Sequence, residues 1–139
     1  MVGTIFRDDR IVTTAGVAFE DGRYFLARRT AGGAQSRKWE FPGGKCDAGD
    51  SDVPLCLIRE IQEELGIPIQ VGQEIGAIPF ENGSARYMLV GYAIQLLARP
   101  DSLSVHSETG WFLPQELPDL DLADSDRTFI ERYILPGTR

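Results

Sequence analysis

The chain has 139 residues, of which 42% are hydrophobic and 25% charged, and its formal net charge is −7 at pH 7. This length and composition predict one globular domain over residues 1–139, and no apolar run is long enough to span a membrane. The acidic balance argues against duplex nucleic acid as the main partner, since a phosphate backbone is generally bound by a basic face.

Two features bear on the compartment. The first ten residues carry charges instead of the long apolar segment of a secretory signal, which predicts a cytoplasmic location. Cys46 and Cys56 are too few and too loosely spaced for a disulfide framework or a four-ligand zinc site, so we expect free thiols.

The first part of the chain predicts a hairpin and two loops. Two β-rich runs, 11–19 and 23–29, flank an Asp-Gly turn, which is typical of a β-hairpin. The Gly-rich stretch 30–38 predicts an exposed loop of a size that is often functional, and the Asp- and Gly-rich stretch 46–51 predicts a second loop.

A helix is predicted between these loops and the second half of the chain. Asp52 or Ser51 can cap it, Pro54 lies in its first turn, and Gly66 ends it. At helical spacing the apolar and acidic side chains fall on different faces. The apolar face consists of Leu57, Ile58, Ile61 and Leu65, and the acidic face of Glu60, Glu63 and Glu64.

The second half predicts another hairpin, formed by 67–80 and 85–97 around an Asn-Gly turn. A short strand at 111–113 and a helical turn at 114–117 follow. A last helix from about Asp124 to Leu135 should pack Phe129, Ile130, Tyr133 and Ile134. Together these elements predict an α/β fold in which a mixed β-sheet is sandwiched between α-helices.

The acidic helix face predicts a metal site. Glu60, Glu63 and Glu64 stand at i, i+3 and i+4, so we expect their carboxylates to converge, and a divalent ion would relieve their repulsion. Hard oxygen ligands favour Mg²⁺ or Mn²⁺ over zinc. Taken alone, such a face is more often a solvated surface.

The glycine turn before the helix suggests a ligand contact. Gly43 and Gly44 permit close approach of the backbone to a ligand, and Lys45 is placed to meet a phosphate. By itself, a Gly-Gly turn is more often a plain loop.

Together these residues match a longer signature. The stretches Gly44 to Asp50 and Arg59 to Ile67 resemble the box of the Nudix hydrolases, G-x5-E-x7-R-E-U-x-E-E-x-G-U, where U is aliphatic. The second half fits at every specified position, and Trp39 to Gly44 is also similar to the family. The chain departs from the box at Asp50, where the family has Glu, and eight residues rather than seven separate it from Arg59. The longer loop can compensate for the shorter side chain of Asp50. The departure nevertheless leaves open how well this acid supports the helix.

The resemblance implies metal-dependent hydrolysis of phosphoanhydride bonds. It assigns metal binding to Glu60, Glu63 and Glu64, with a backbone carbonyl from Gly43, and it assigns the orientation of the glutamates to Arg59. Glu60 is the first candidate for general base. The implied cofactor is Mg²⁺, with Mn²⁺ as a substitute.

Some family members use an acid in a downstream pattern, E-H-x-E-x-x-W. Here Val105 replaces the first Glu, so Glu108 is the remaining candidate ligand or base, with a surface role as the open alternative. We interpret His106 as a residue that supports a ligand or packs beside the site, rather than as a ligand itself.

Over nearly the whole domain the chain most resembles the MutT-like branch. That branch cleaves nucleoside triphosphates to monophosphate and pyrophosphate and includes 8-oxo-dGTP and CTP pyrophosphohydrolases. The resemblance places Arg29 at the nucleotide and Asp126 at the base edge. For Arg29 the alternative is a surface arginine. For Asp126 it is a helix N-cap, a role that suits Asp124 or Ser125 better. Aromatic candidates for base stacking are Phe41, Phe80 and Tyr87, although strand aromatics are more often core.

Two alternatives stay open. One is a Nudix hydrolase of ADP-ribose or another nucleoside diphosphate derivative, and the other is a Nudix-fold nucleotide-binding module without turnover. In each case the partner is a small nucleotide, without duplex nucleic acid or a membrane, and the protein is a monomer or homodimer.

Overall fold

The strands form two sheets in the computed structural model, which describes residues 5–29, 37–47, 49–99 and 107–135. The strands are β1 (Phe6–Arg7), β2 (Arg10–Val17), β3 (Phe19–Glu20), β4 (Arg23–Arg29), β5 (Ile69–Asn82), β6 (Ala85–Leu96) and β7 (Ser107–Phe112). A mixed sheet has the order β1-β2-β6-β5, and an antiparallel sheet has the order β3-β4-β7.

Helices cover both faces of this β layer. Helix α1 (Val53–Leu65) packs on β2 and β5, and α2 (Asp124–Phe129), which continues as a π-helical segment (Ile130–Ile134), also packs on β5. The neighbouring residues Phe25 and Leu26 of β4 point to opposite faces and are both fully buried. Phe25 lies in the cluster of Leu57 on α1, whereas Leu26 lies in the cluster of Phe129 on α2. The predicted sandwich of a mixed sheet between helices is confirmed.

The predicted first hairpin is wrong for most of its length. Only β3 pairs with the start of β4, through Phe19 with Tyr24 and Glu20 with Arg23. The longer run, β2, pairs in parallel with β6. The Asp-Gly turn forms locally, but the chain changes sheets at the fully buried Ala18. This long-range pairing buries β2 on both faces, which is typical of parallel strands and leaves no local signal in a turn.

The predicted second hairpin is confirmed. Strands β5 and β6 pair from Ile69 with Leu96 to Asn82 with Ala85, and Gly83 has φ 63° in the turn. The short strand near Trp111 is present but longer than predicted, and the helical turn after it is a 3₁₀ helix (Pro114–Asp119).

Helix α1 begins and ends as predicted. The Asp52 side chain accepts a hydrogen bond from the Leu55 amide at 2.8 Å, and Gly66 closes the helix at φ 68°. Its buried residues are Cys56, Leu57, Ile61 and Leu65, and Ile58 is half-buried.

The last helix buries the predicted side chains, but its N-cap is different. Phe129 and Ile130 are buried and Tyr133 and Ile134 pack against them. The N-cap position is Ala123, without a side-chain cap, so the alternative of a capping Asp124 or Ser125 is wrong.

None of the helices in the described ranges is long and apolar enough to cross a membrane.

The expectation of free thiols is also wrong. Cys46 and Cys56 form a disulfide whose Cα atoms lie 5.4 Å apart, and both residues are fully buried. The loop that follows Cys46 turns back and delivers the first turn of α1 against it, a proximity that ten residues of sequence separation do not reveal.

Candidate active site

The glycine turn is held on strand β2. The amides of Thr14 and Gly16 donate to the carbonyls of Gly44 and Pro42 at 2.8 and 2.7 Å. The Thr14 hydroxyl adds hydrogen bonds to the Gly44 carbonyl and amide at 3.0 and 3.2 Å. Gly43 has φ 154°, and a Cβ there would overlap the Thr14 carbonyl, so this position requires glycine.

The same turn contacts the acidic helix directly. A Cβ on Gly44 would overlap the Glu60 carboxylate, so the lack of a side chain at Gly44 lets this acid lie against the turn. The carbonyls on either side of Gly43 point to β2, and alternation along an extended segment turns the Gly43 carbonyl away from β2. This orientation is compatible with the predicted role of Gly43 as a backbone ligand.

Arg59 is held in place by Asp50, the acid that departs from the Nudix box. Its Nε and Nη2 donate to the two Asp50 oxygens at 2.7 and 2.9 Å, the paired geometry that makes arginine–carboxylate contacts strong. The Asp50 side chain is 3% exposed and also accepts from the Asp47 amide at 2.8 Å. The Arg59 hydrogen bonds are the main reason that the pKa of Asp50 is lowered. The shorter acid on the longer loop therefore reaches Arg59.

Arg59 also contacts two acids of the helix. Its Nη1 lies 3.0 Å from Glu63 and 3.1 Å from Glu60. The pKa of Arg59 is raised, first by its hydrogen bond to Asp50. The pKa of Glu60 is raised by burial, which outweighs the opposing effect of Arg59. Glu60 is thus a partly buried carboxylate that sits between the glycine turn and Arg59.

The three glutamates do not form the closest set of potential ligands in this structure. In the described part of the chain, the one set of three potential ligands with all atoms within 4.8 Å is Cys46, Asp50 and Cys56. The ligand atoms of Glu60, Glu63 and Glu64 therefore do not all lie within that distance of one another, and their convergence on an ion stays a prediction. Glu60 and Glu63 both contact the same nitrogen of Arg59, at 3.1 and 3.0 Å, and this cation offsets the repulsion between their charges.

The donor set nevertheless fits a hard divalent ion. Glu60, Glu63 and Glu64 offer carboxylate oxygens, and one oxygen of Glu64 is enclosed by the protein. Mg²⁺ commonly binds through one or two carboxylates and completes its shell with water and phosphate oxygens, so it does not need a closed cage of three acids.

Glu108 lies on the smaller sheet, opposite Arg28. The two residues are paired across β4 and β7, with Arg28 Nε 2.8 Å from Glu108 Oε1. The Arg28 guanidinium also lies 4.9 Å from the centroid of the Trp39 ring. Arg29 is at the end of β4, opposite Ser107, and its side chain is outside the described part of the structure, as are Val105 and His106.

Asp126 is brought to the glycine turn by backbone pairing. The Trp39 amide donates to the Asp121 carbonyl at 2.8 Å, and the Ala123 amide donates to the Trp39 carbonyl at 3.0 Å. The start of α2 is thereby fixed beside Phe41, whose amide donates to Asp126 Oδ1 at 3.0 Å. Asp126 is 5% exposed, and its pKa is raised well above the usual value by burial and then by the charge of Glu40.

The stacking role predicted for the Phe41 ring is wrong. The residue is 3% exposed, and its ring packs edge-on against Tyr24 and Phe129, each with centroids 6.4 Å apart. Phe80 and Tyr87 are half-buried and stack on each other with centroids 5.1 Å apart. Lys45 is exposed at the end of the glycine turn, as its predicted phosphate contact requires.

A model of the NUDIX domain matches residues 10–133. The chain belongs to the Nudix hydrolase family. The CTP pyrophosphohydrolase of Escherichia coli K12 is 29% identical over 124 residues, which cover 89% of this chain and 91% of the relative. A putative 8-oxo-dGTP diphosphatase 2 of Mycobacterium tuberculosis is 30% identical over 122 residues, 86% of this chain and 84% of the relative. The crystal structure of a MutT protein from Methanosarcina mazei Go1 has 25% identity and a TM-score of 0.78, covering 94% and 96% of the two chains.

These relationships confirm the Nudix and MutT-like resemblance drawn from the sequence. Nudix hydrolases act on phosphoanhydride bonds of small nucleotide substrates and generally use divalent metal ions such as Mg²⁺.

Two residues of this Nudix site escaped the sequence analysis. Thr14 fixes Gly44, and Glu40 raises the pKa of Asp126, although neither matches a specified position of the box. Thr14 is 30 residues from Gly44, and Glu40 is 86 residues from Asp126, so no local pattern connects either pair. Only the pairing of strands and segments shows these contacts.

Proposed function

We propose that this Nudix hydrolase cleaves a nucleoside triphosphate, an oxidised purine or pyrimidine nucleotide such as 8-oxo-dGTP or CTP/dCTP, to the monophosphate and pyrophosphate. The observation that carries the proposal is the position of Glu60, which lies between the glycine turn and Arg59. Arg59 is itself held by hydrogen bonds to Asp50. The names of the MutT-like relatives support the choice of substrate class.

The metal ligands in this proposal are Glu60, Glu63 and Glu64, with the Gly43 carbonyl. When bound, Mg²⁺ would neutralise phosphate charge and lower the pKa of a water molecule. Arg59 restrains the acids through contacts of 3.0 and 3.1 Å, and Asp50 restrains Arg59. Glu60 is the proposed base for water, and Glu108 an additional acid on the smaller sheet.

Lys45 is proposed to bind a phosphate group, Arg29 to contact the nucleotide, and Asp126 to contact the base edge. Burial and the neighbouring Glu40 favour the neutral form of Asp126. One of its oxygens accepts from the Phe41 amide, so a neutral carboxyl leaves an O–H that can donate to a base. The half-buried Phe80 packs against the cluster that contains Phe41 and Phe129, near which we place the base.

A product assay tests the proposed reaction. Each of a panel of nucleoside triphosphates, ADP-ribose and other diphosphate derivatives is incubated with Mg²⁺, and pyrophosphate and orthophosphate are measured separately. We expect pyrophosphate and the monophosphate from a triphosphate. Release of orthophosphate alone, or activity confined to ADP-ribose, would contradict the MutT-like assignment, and binding without turnover would instead identify a binding module.

Replacing Asp126 with asparagine tests whether this carboxyl is neutral. A raised folded-state pKa means that the stability of the wild type is full below about pH 4 and declines as pH rises through the raised value. Asparagine can still accept from the Phe41 amide but does not ionise. We therefore expect the free energy of unfolding of the variant, relative to wild type, to increase as pH rises.

Urea unfolding at several pH values measures this difference. Asp124→Asn is the matched control, because Asp124 is exposed on the same turn of α2. A difference between Asp126→Asn and wild type that stays constant from about pH 4 to pH 8 would show that Asp126 is ionised throughout.

In this proposal the partner is a small nucleotide, and neither duplex nucleic acid nor a membrane is a partner. We also propose that the chain forms a single domain, that it is located in the cytoplasm, and that it is a monomer or a homodimer.

A further inference from the structure

The disulfide joins the two parts of the metal-binding corner. Cys46 lies two residues after Gly44, and Cys56 lies one helical turn before Glu60. The bond therefore ties the end of the glycine turn to the start of α1. A second tie is the hydrogen bond from the Cys46 amide to the Val12 carbonyl at 3.0 Å, which fixes the turn to β2.

The disulfide closes a loop that holds the Arg59 clamp. Residues 47–55 lie inside this loop, among them Asp50, which binds Arg59, and Asp52, which caps α1. Arg59 in turn contacts Glu60 and Glu63. A change in the position of this loop would thus reach the acids of the proposed site through Asp50 and Arg59.

The residues packed around the two sulfur atoms leave little space for two separate thiols. Cys46 and Cys56 are fully buried and pack in a cluster with Val12, Val90 and Met88. Two unbonded sulfur atoms must lie well beyond bonding distance, and a close-packed interior accommodates added volume only by shifting its neighbours. Asp47, the residue next to Cys46, is exposed, and its amide donates to Asp50 at 2.8 Å, so a shift of Cys46 reaches Asp50 directly.

We propose that Cys46 and Cys56 are a redox modification site. In the oxidised form the disulfide holds the loop on α1. Reduction by a dithiol releases the loop, and this release lowers the activity. This inference rests on the proposed function for its catalytic consequence. Disulfides in reducing compartments are usually transient and redox-sensing, which fits the cytoplasmic location that we expect. The same sulfurs and Asp50 form the close set of potential metal ligands, but Arg59 already occupies Asp50.

The exchange is balanced in two steps. A thiolate of the dithiol attacks one sulfur of the Cys46–Cys56 bond, forms a mixed disulfide and releases the other cysteine as a thiolate. The second thiol of the reductant then closes its own disulfide and releases the first cysteine. Two electrons and two protons pass to the protein, and the broken S–S bond is replaced by one in the reductant.

Thiol labelling with mass spectrometry tests the chemistry. The full chain, purified without reductant, is denatured and alkylated before and after treatment with dithiothreitol in the folded state. We expect no label before treatment and two labels after it. Two labels in the untreated, air-exposed protein would overturn the proposal.

Activity and metal affinity test the consequence. We expect complete reduction to lower kcat by about tenfold, the lower end of what loss of outer-shell support costs a metal site, and to weaken Mn²⁺ binding. Reoxidation with oxidised dithiothreitol should restore both. The double variant Cys46→Ala/Cys56→Ala is the control and should not respond to either reagent.

The two proposals fail in different ways. Absence of nucleotide turnover in both redox forms counts against the proposed function, whereas Mn²⁺ affinity and labelling still decide the redox proposal. Unchanged Mn²⁺ affinity after complete reduction, or an equal response in the double variant, would overturn it. If the double variant does not fold, reduction and reoxidation of the wild type give the same decision.

Discussion

Replacing Glu64 with glutamine is expected to lower turnover by more than about 100-fold, because loss of outer-shell support alone costs a metal site about 10- to 100-fold. Glutamine keeps the size of the side chain and removes its charge, and one oxygen of Glu64 is enclosed by the protein. The expected loss therefore reflects weaker metal binding rather than a cavity. Glu63→Gln should act in the same direction, since Glu63 lies on the same helix face and contacts Arg59.

Steady-state rates at several Mg²⁺ concentrations measure this effect, and thermal unfolding checks the fold. Glu131→Gln is the matched control, because it changes an exposed glutamate on the opposite helix. Near-normal rates for both Glu63→Gln and Glu64→Gln would contradict their role as ligands.

Replacing Asp50 with asparagine is expected to lower kcat by about 10- to 100-fold, the usual consequence of losing a residue that orients metal ligands. Asp50 accepts both hydrogen bonds of a paired contact with Arg59, and an amide offers only one acceptor oxygen. Arg59 would then be held less firmly beside Glu60 and Glu63. We also expect weaker apparent Mg²⁺ affinity, a change that general destabilisation does not produce.

Asp47→Asn provides a close comparison for Asp50→Asn. The Asp47 carboxylate lies 3.6 Å from Arg59 and is 58% exposed, so its contribution should be small. If the two variants lose activity equally, net charge rather than the clamp is responsible. If Asp50→Asn keeps full activity and Mg²⁺ affinity, the clamp does not support the site.

The elements that the sequence predicted well are those whose signals are local. Helix α1 is bounded by Asp52 and Gly66, both of which act within a few residues of their own position. The β5–β6 hairpin is likewise marked by its turn at Gly83. In these cases capping and turn chemistry agree with the tertiary structure, so the pattern was sufficient.

The predictions that failed depended on contacts distant in sequence. Strand β2 pairs with β6, more than 70 residues away, and not with the strand that follows its turn. Phe41 was one of three aromatic candidates for stacking on a base, but its ring packs against Tyr24 and Phe129. Cys46 and Cys56 were judged by their number and spacing, which do not show that the loop folds back on α1.

The candidate site lies between these two cases. Its acids and glycines could be named from the box, because the family pattern fixes their types and spacing. The arrangement of the acids could not, since it depends on how Arg59 divides its contacts among Asp50, Glu60 and Glu63. Sequence spacing places charges on one face of a helix but does not decide which cation each of them contacts.

The central claim is that the acidic face of α1 binds the metal ion. Its most direct test is to measure Mn²⁺ binding by electron paramagnetic resonance in the presence of a non-hydrolysable nucleotide analogue. We expect the wild type to bind Mn²⁺ tightly, and Glu60→Gln and Glu64→Gln to lose this binding while Glu131→Gln keeps it. Equal Mn²⁺ affinity in all four proteins would show that the acidic face of α1 does not hold the metal ion.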